Sequence, residues 1–135
     1  MIKEIYFISQ QDAIELEPLK TRALISIRVP KGFVPLKEGW QYWHKSEFHD
    51  EEADEDGVWT LFNTEKAIDA ISFVKGLPEH INTLYIHCHA GISRSAGMAK
   101  FFSEMFEIPF DTNYNHFNKL VYRLLWQAYY DENFR

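Results

Sequence analysis

Thr83-Leu84-Tyr85-Ile86-His87 runs without a break into Cys88-His89-Ala90-Gly91-Ile92-Ser93-Arg94, and then into Ser95-Ala96-Gly97-Met98-Ala99. The first segment predicts a short buried strand. The last opens a helix whose Ala99, Phe102, Met105 and Phe106 recur at helical spacing on its inward face. The loop between them therefore sits where open α/β sheets bind ligands, at the carboxyl end of a strand. A helix start there presents unpaired amide donors and a partial positive charge. Gly91 allows the backbone to turn tightly, so that successive amides converge on one centre. The stretch predicts both an α/β fold and an anion site.

The side chains on this loop suggest what the site does with an anion. Five residues separate Cys88 from Arg94, which lets the guanidinium close the ring of amides and offer a planar fork to two oxygens. The same field favours a thiolate at Cys88, since cysteine pKa values fall to roughly 3.5–7.5 beside helix starts and cations. A thiolate so placed can attack phosphorus in line while amides and Arg94 hold the phosphate oxygens. Alone, Cys88 would read as a small buried hydrophobe. Arg94 and Ser95 weigh against that reading.

Outward from the loop, strands and helices alternate. Ile2 to Ser9 and Ala23 to Val29 read as strands, the second stopped by Pro30. Pro30, Gly32, Pro35 and Gly39 predict an irregular connection over 30–44. A short strand ends at Glu47-Phe48-His49, and an acidic segment follows from Asp50 to Gly57. Asn63 or Thr64 caps a helix carrying Ala67, Ile68, Ile71 and Val74, which ends near Gly76. A last helix is expected after Asp111-Thr112, with Phe117, Leu120, Val121, Leu124 and Ala128 inward. The expected fold is α/β: a mostly parallel sheet of four or five strands flanked by helices on both faces, in one domain over 1–135.

His87-Cys88-x-x-Gly91-x-x-Arg94-Ser95 resembles the signature of the cysteine-dependent protein-tyrosine phosphatase superfamily, and with Ala90, Ser93 and Ser95 it is similar to the dual-specificity branch. The order of elements is similar from the strand before Asp50 to the helix after Ser95. The specific match is confined to the loop and one acid. The resemblance implies that Cys88 is the nucleophile and that Arg94 binds the phosphate and its transition state. It also implies that Ser95 hydrogen-bonds the thiolate and helps it depart, and that His87 supports the loop. His89, Ala90, Gly91, Ile92, Ser93 and Arg94 would form the phosphate cradle. Related low-molecular-weight tyrosine phosphatases and arsenate reductases keep such a motif near the N-terminus, whereas here it begins at residue 88.

The leaving oxygen needs a proton, which a carboxylic acid can supply before acting as base toward water. The family keeps an aspartate for this on a loop after a strand, well before the cysteine. Asp50 fits, directly after Glu47-Phe48-His49 and 38 positions before Cys88. Asp54 is the second candidate, and the other carboxylates from Glu51 to Asp56 read as a solvated charge run.

Composition narrows the remaining choices. The 135 residues carry a formal net charge of −6 and a single cysteine. An internal disulfide and a four-cysteine metal site are excluded, and nucleic acid and anionic membranes are poor bulk partners. A zinc site from His87, Cys88 and His89 is disfavoured, because adjacent side chains point apart and no second ligand pair exists. No metal or cofactor is expected. No apolar run approaches the ~20 residues of a membrane span, and a cytoplasmic protein is expected. The loop lacks the lysines typical of phosphoinositide phosphatases, which favours phosphoprotein substrates: phosphotyrosine, with phosphoserine and phosphothreonine admitted by a shallow cleft. The alternatives are a phosphate- or phosphopeptide-binding module without turnover, and a phosphatase for a non-protein ester.

Overall fold

A computed structural model describes residues 1–131. The chain order is β1 (Glu4–Ile8), α1 (Gln10–Glu15), β2 (Arg22–Arg28), β3 (Trp43–Glu47), α2 (Thr64–Lys75), β4 (Thr83–His87), α3 (Arg94–Met105) and α4 (Lys119–Asp131). The four strands form one sheet in the order β1-β4-β2-β3, and every pairing is parallel. β4 is thus an inner strand, with His87 in register between Ile8 on one side and Ser26 on the other.

The pleat explains the core. Ala23, Ile25 and Ile27 of β2 and Leu84 and Ile86 of β4 alternate onto one face. They join the buried Ala67, Ala70, Ile71 and Val74 of α2, Met98, Phe101 and Phe102 of α3, and Val121 and Leu125 of α4 in one cluster. α3 rests on β1 and β4, α2 touches β3, and α4 contacts both helices. Because α3 lies between the sheet and α4, every residue from Arg94 to Ala99 is buried.

The opposite pleat carries a Tyr6–Tyr85 stack, with Arg22 over Tyr85 and Arg28 over Trp43. The connections β1–β2 and β2–β3 cross the sheet in one direction and β3–β4 returns in the other. Right-handed crossovers therefore put α1 on the face away from α2. The chain leaves β2 and β4 toward opposite faces, which opens a crevice at the carboxyl ends of these neighbouring strands.

Three elements differ from the sequence expectation. β3 ends at Glu47, so Phe48 and His49 lie beyond it and separate Asp50 from the strand. α1 was not anticipated; its signal is Ser9, whose Oγ accepts from the Asp12 amide at 3.1 Å as an N-cap. The last helix begins at Lys119, not after Thr112. Asp111 folds a tight turn instead, its carboxylate accepting from the Asn113 amide at 2.9 Å and its carbonyl from Tyr114 at 3.1 Å. Phe117 accordingly lies outside the helix, edge-on to Tyr122. Among the described residues no helix is long and apolar enough to cross a membrane.

Candidate functional site

The loop after β4 is pinned from beneath by the end of β1. The Cys88 amide donates to the Ile8 carbonyl at 3.4 Å, and the Gln10 amide to the His89 carbonyl at 3.0 Å. Gly91 has φ +72°, and a Cβ there would stand 2.5 Å from the Ser9 nitrogen and 2.6 Å from the Ile8 carbonyl carbon. Glycine is needed twice over at this point, for the backbone conformation and for the approach to β1. Tyr114 braces the outer side, its hydroxyl donating to the Ile92 carbonyl while its ring meets Phe7 edge-on.

Cys88 is 2 % exposed, and its Sγ lies 3.1 Å from Ser95 Oγ. Burial by itself would push the thiol pKa up. Hydrogen bonds from the Ser95 hydroxyl and from the amides of Ser95, Gly91 and Ile92 outweigh it and hold the pKa below the ordinary thiol value. The amides of the curled loop thus converge on the sulfur. Burial, and then the negative charge that Cys88 carries when ionised, push the Tyr114 pKa upward.

His87 precedes Cys88 at the end of β4 and is fully buried. Arg28 Nε donates to Ser26 Oγ at 2.9 Å, and Ser26 Oγ meets His87 Nε2 at 2.5 Å. A guanidinium can only donate and a carbonyl can only accept, so Ser26 Oγ accepts from Arg28 and Nδ1–H donates to the Cys88 carbonyl, which leaves Nε2 to accept the Ser26 hydroxyl proton. The imidazole proton is then on Nδ1, which faces the Cys88 carbonyl at 3.3 Å. Burial, reinforced by the charges of Arg28 and Arg94 and only partly opposed by the Cys88 carbonyl, lowers the His87 pKa to about 4. His87 is therefore a neutral strut near pH 7.

Arg94 opens α3 and is 6 % exposed; its Nη1 donates to the Phe48 carbonyl at 2.7 Å. With His89, Gln10, Arg28 and Phe33 it lines a pocket of about 130 Å³ at the carboxyl ends of β2 and β4. Arg28, Phe33 and Val34 carry this pocket into a larger one of about 310 Å³ that reaches Trp40 and Trp43. His89, Ala90 and Ile92 are exposed along the rim of the loop.

The structure brings Asp50 to this loop across 43 residues of sequence. Asp50 Oδ1 accepts from Ser93 Oγ at 2.7 Å and from Asn118 Nδ2 at 3.0 Å. Asp54 is used elsewhere: its Oδ1 accepts from the Val58 amide at 2.9 Å, closing the turn of its own segment. Cys88, Arg94, Ser95 and Asp50 thus gather at one loop, with Ser93 joining the acid to it, while Asp54 stays outside. Sequence reasoning missed Asn118, Tyr114 and the Arg28–Ser26 pair. Asn118 alone had a readable signal, as a capping residue just before the apolar run Leu120-Val121.

Among the described residues no group of three or more His, Cys, Asp or Glu side chains could hold a metal ion. His87 turns inward to Ser26, whereas His89 is exposed. No family model matches this chain, and neither a curated protein nor a solved structure does.

Proposed function

We propose that this chain hydrolyses phosphate monoesters of proteins through a phosphocysteine intermediate, taking phosphotyrosine and also phosphoserine and phosphothreonine. The observation that carries the reading is the sulfur of Cys88. A buried thiol would ordinarily be harder to ionise, yet three loop amides and the Ser95 hydroxyl hold this one below its usual pKa. Donors that stabilise a thiolate at the floor of a curled loop are also suited to an oxyanion above it.

The steps follow from the gathered groups. Cys88 Sγ forms a bond to phosphorus as the ester P–O bond breaks, and Asp50 passes its proton to the leaving oxygen. Arg94 holds two phosphate oxygens as charge spreads over them. Water then attacks phosphorus, and the Asp50 carboxylate takes its proton. The S–P bond breaks, and the Ser95 hydroxyl, 3.1 Å from Sγ, stabilises the departing thiolate. The exposed rim at His89, Ala90 and Ile92 favours a shallow cleft over a deep tyrosine-only slot. The pocket beside Arg94 leaves room for the residues flanking the phosphorylated one.

The test is phosphate release from an aryl phosphate, phosphotyrosyl and phosphoseryl peptides and an inositol phosphate, with vanadate as inhibitor. Vanadate-sensitive release from the aryl ester and both peptides is expected. Tungstate binding without any release would make the chain a phosphate-binding module, and preference for the inositol phosphate would move its substrate outside proteins.

A further inference from the structure

We propose that Asn118 is a positioning residue that locks Asp50 against the Cys88 loop, with one side-chain oxygen capping α4 and the amide nitrogen holding the acid. This role depends on Asp50 being the general acid of the proposed phosphatase.

Asn118 is 2 % exposed, and its polar groups are committed to three segments. Its backbone amide donates to the Ser93 carbonyl at 3.0 Å, which ties it to the loop. Its Oδ1 accepts from the Val121 amide at 3.0 Å, which caps α4. Its Nδ2 donates to Asp50 Oδ1 at 3.0 Å and lies 3.5 Å from the Glu51 carbonyl. A cap requires only the oxygen, and serine or aspartate would cap as well. The amide donor is what asparagine adds, and it is spent on the acid. Gly97 makes the approach possible: a Cβ there would stand 2.8 Å from the Asn118 carbonyl oxygen and 3.2 Å from Val121 Cβ.

The geometry also sorts the two oxygens of Asp50. Ser93 and Asn118 both donate to Oδ1. In a protonated carboxyl the carbonyl oxygen accepts and the hydroxyl donates. Oδ1 is therefore the accepting oxygen, and Oδ2 is left to carry the proton to the leaving group. A lone hydrogen bond from Ser93 would leave the carboxyl free to rotate about it; two donors from different segments do not.

The experiment uses Asn118→Asp and Asn118→Ser in the full chain, alone and combined with Asp50→Ala. Asn118→Asp keeps a capping oxygen but sets a second carboxylate against Asp50, and Asn118→Ser keeps a capping hydroxyl that cannot reach it. Both are expected to melt within about 4 °C of wild type. In both, the ratio of rates for good over poor leaving groups should rise about tenfold, through kcat more than KM. In the Asp50→Ala background that ratio should not change further. A loss spread evenly over all leaving groups, or one that adds in full to Asp50→Ala, would overturn the role of Asn118 while leaving the phosphatase standing. A wild-type chain that releases no phosphate would overturn both.

Discussion

The Cys88 loop, residues 88 to 95, and the acidic segment, Asp50 to Gly57, show two ways of assembling the groups of the proposed mechanism. In the loop, contiguous residues suffice. A strand ends, Gly91 turns at φ +72°, a helix begins, and the amides in between meet the sulfur. In the acidic segment six carboxylates crowd eight positions, and the one local mark that sets Asp50 apart is its place directly after Glu47-Phe48-His49. Asp50 is chosen by donors 43 and 68 residues away, on α3's start and α4's cap. Asp54, four residues on, is absorbed by a backbone turn of its own. Reactivity written in backbone geometry is local; reactivity that depends on position is assembled from afar.

Breaking the local half of this contrast should cost most. Cys88→Ser is expected to lower turnover by about 10⁴-fold or more, because the nucleophile has no substitute. Tungstate binding, followed by calorimetry, should survive, since the amides and Arg94 remain. Activity near wild type would remove the sulfur from the mechanism.

The distant half should cost less and show a pattern. Asp50→Ala is expected to lower the rate about 10²-fold or more on poor leaving groups, and much less on a nitrophenyl ester. A leaving-group series measures the steepened dependence. An identical slope in Asp50→Ala and wild type would mean that the acid lies elsewhere.

Support beneath the loop should appear in stability. His87 titrates near 4 in the folded chain against about 6.5 when unfolded. Between these values the unfolded chain binds more protons, so stability rises with pH through the window and is complete above about 6.5. As pH falls from there toward 4, the wild type should lose stability on the order of a few kcal/mol. His87→Gln should lack that component in urea titrations across the same range. Equal slopes in the two proteins would contradict the neutral strut.

The smallest effect belongs to the acid left outside the site. Asp54→Ala removes one acceptor from an exposed turn, so stability should stay within about 0.5 kcal/mol of wild type. Its leaving-group slope should match wild type, which a parallel assay with Asp50→Ala checks directly. A steeper slope in Asp54→Ala would exchange the roles of the two aspartates.

Much of the fold was legible because periodicity and punctuation agreed. The strand Thr83–His87, the Asn63 cap and the helix opening at Arg94 all stand where their patterns put them. Boundaries failed where a residue type serves two purposes. Asp111 signals a helix start or a tight turn equally well, and here the Asn113 and Tyr114 amides take the turn. α1 escaped because six residues with one buried alanine give no stripe to read.

What the sequence determined by itself was the strand–loop–helix unit and the residues on it, Cys88, Gly91, Arg94 and Ser95. Their relation is covalent and short, and a few backbone angles suffice to make it. What only the tertiary structure decided was the link of Asp50 to Ser93 and Asn118, and the Arg28–Ser26–His87 chain below the sulfur. These hydrogen bonds join residues tens of positions apart, and such partners carry no local signal, because a side-chain donor acquires its acceptor only when the sheet and helices have packed.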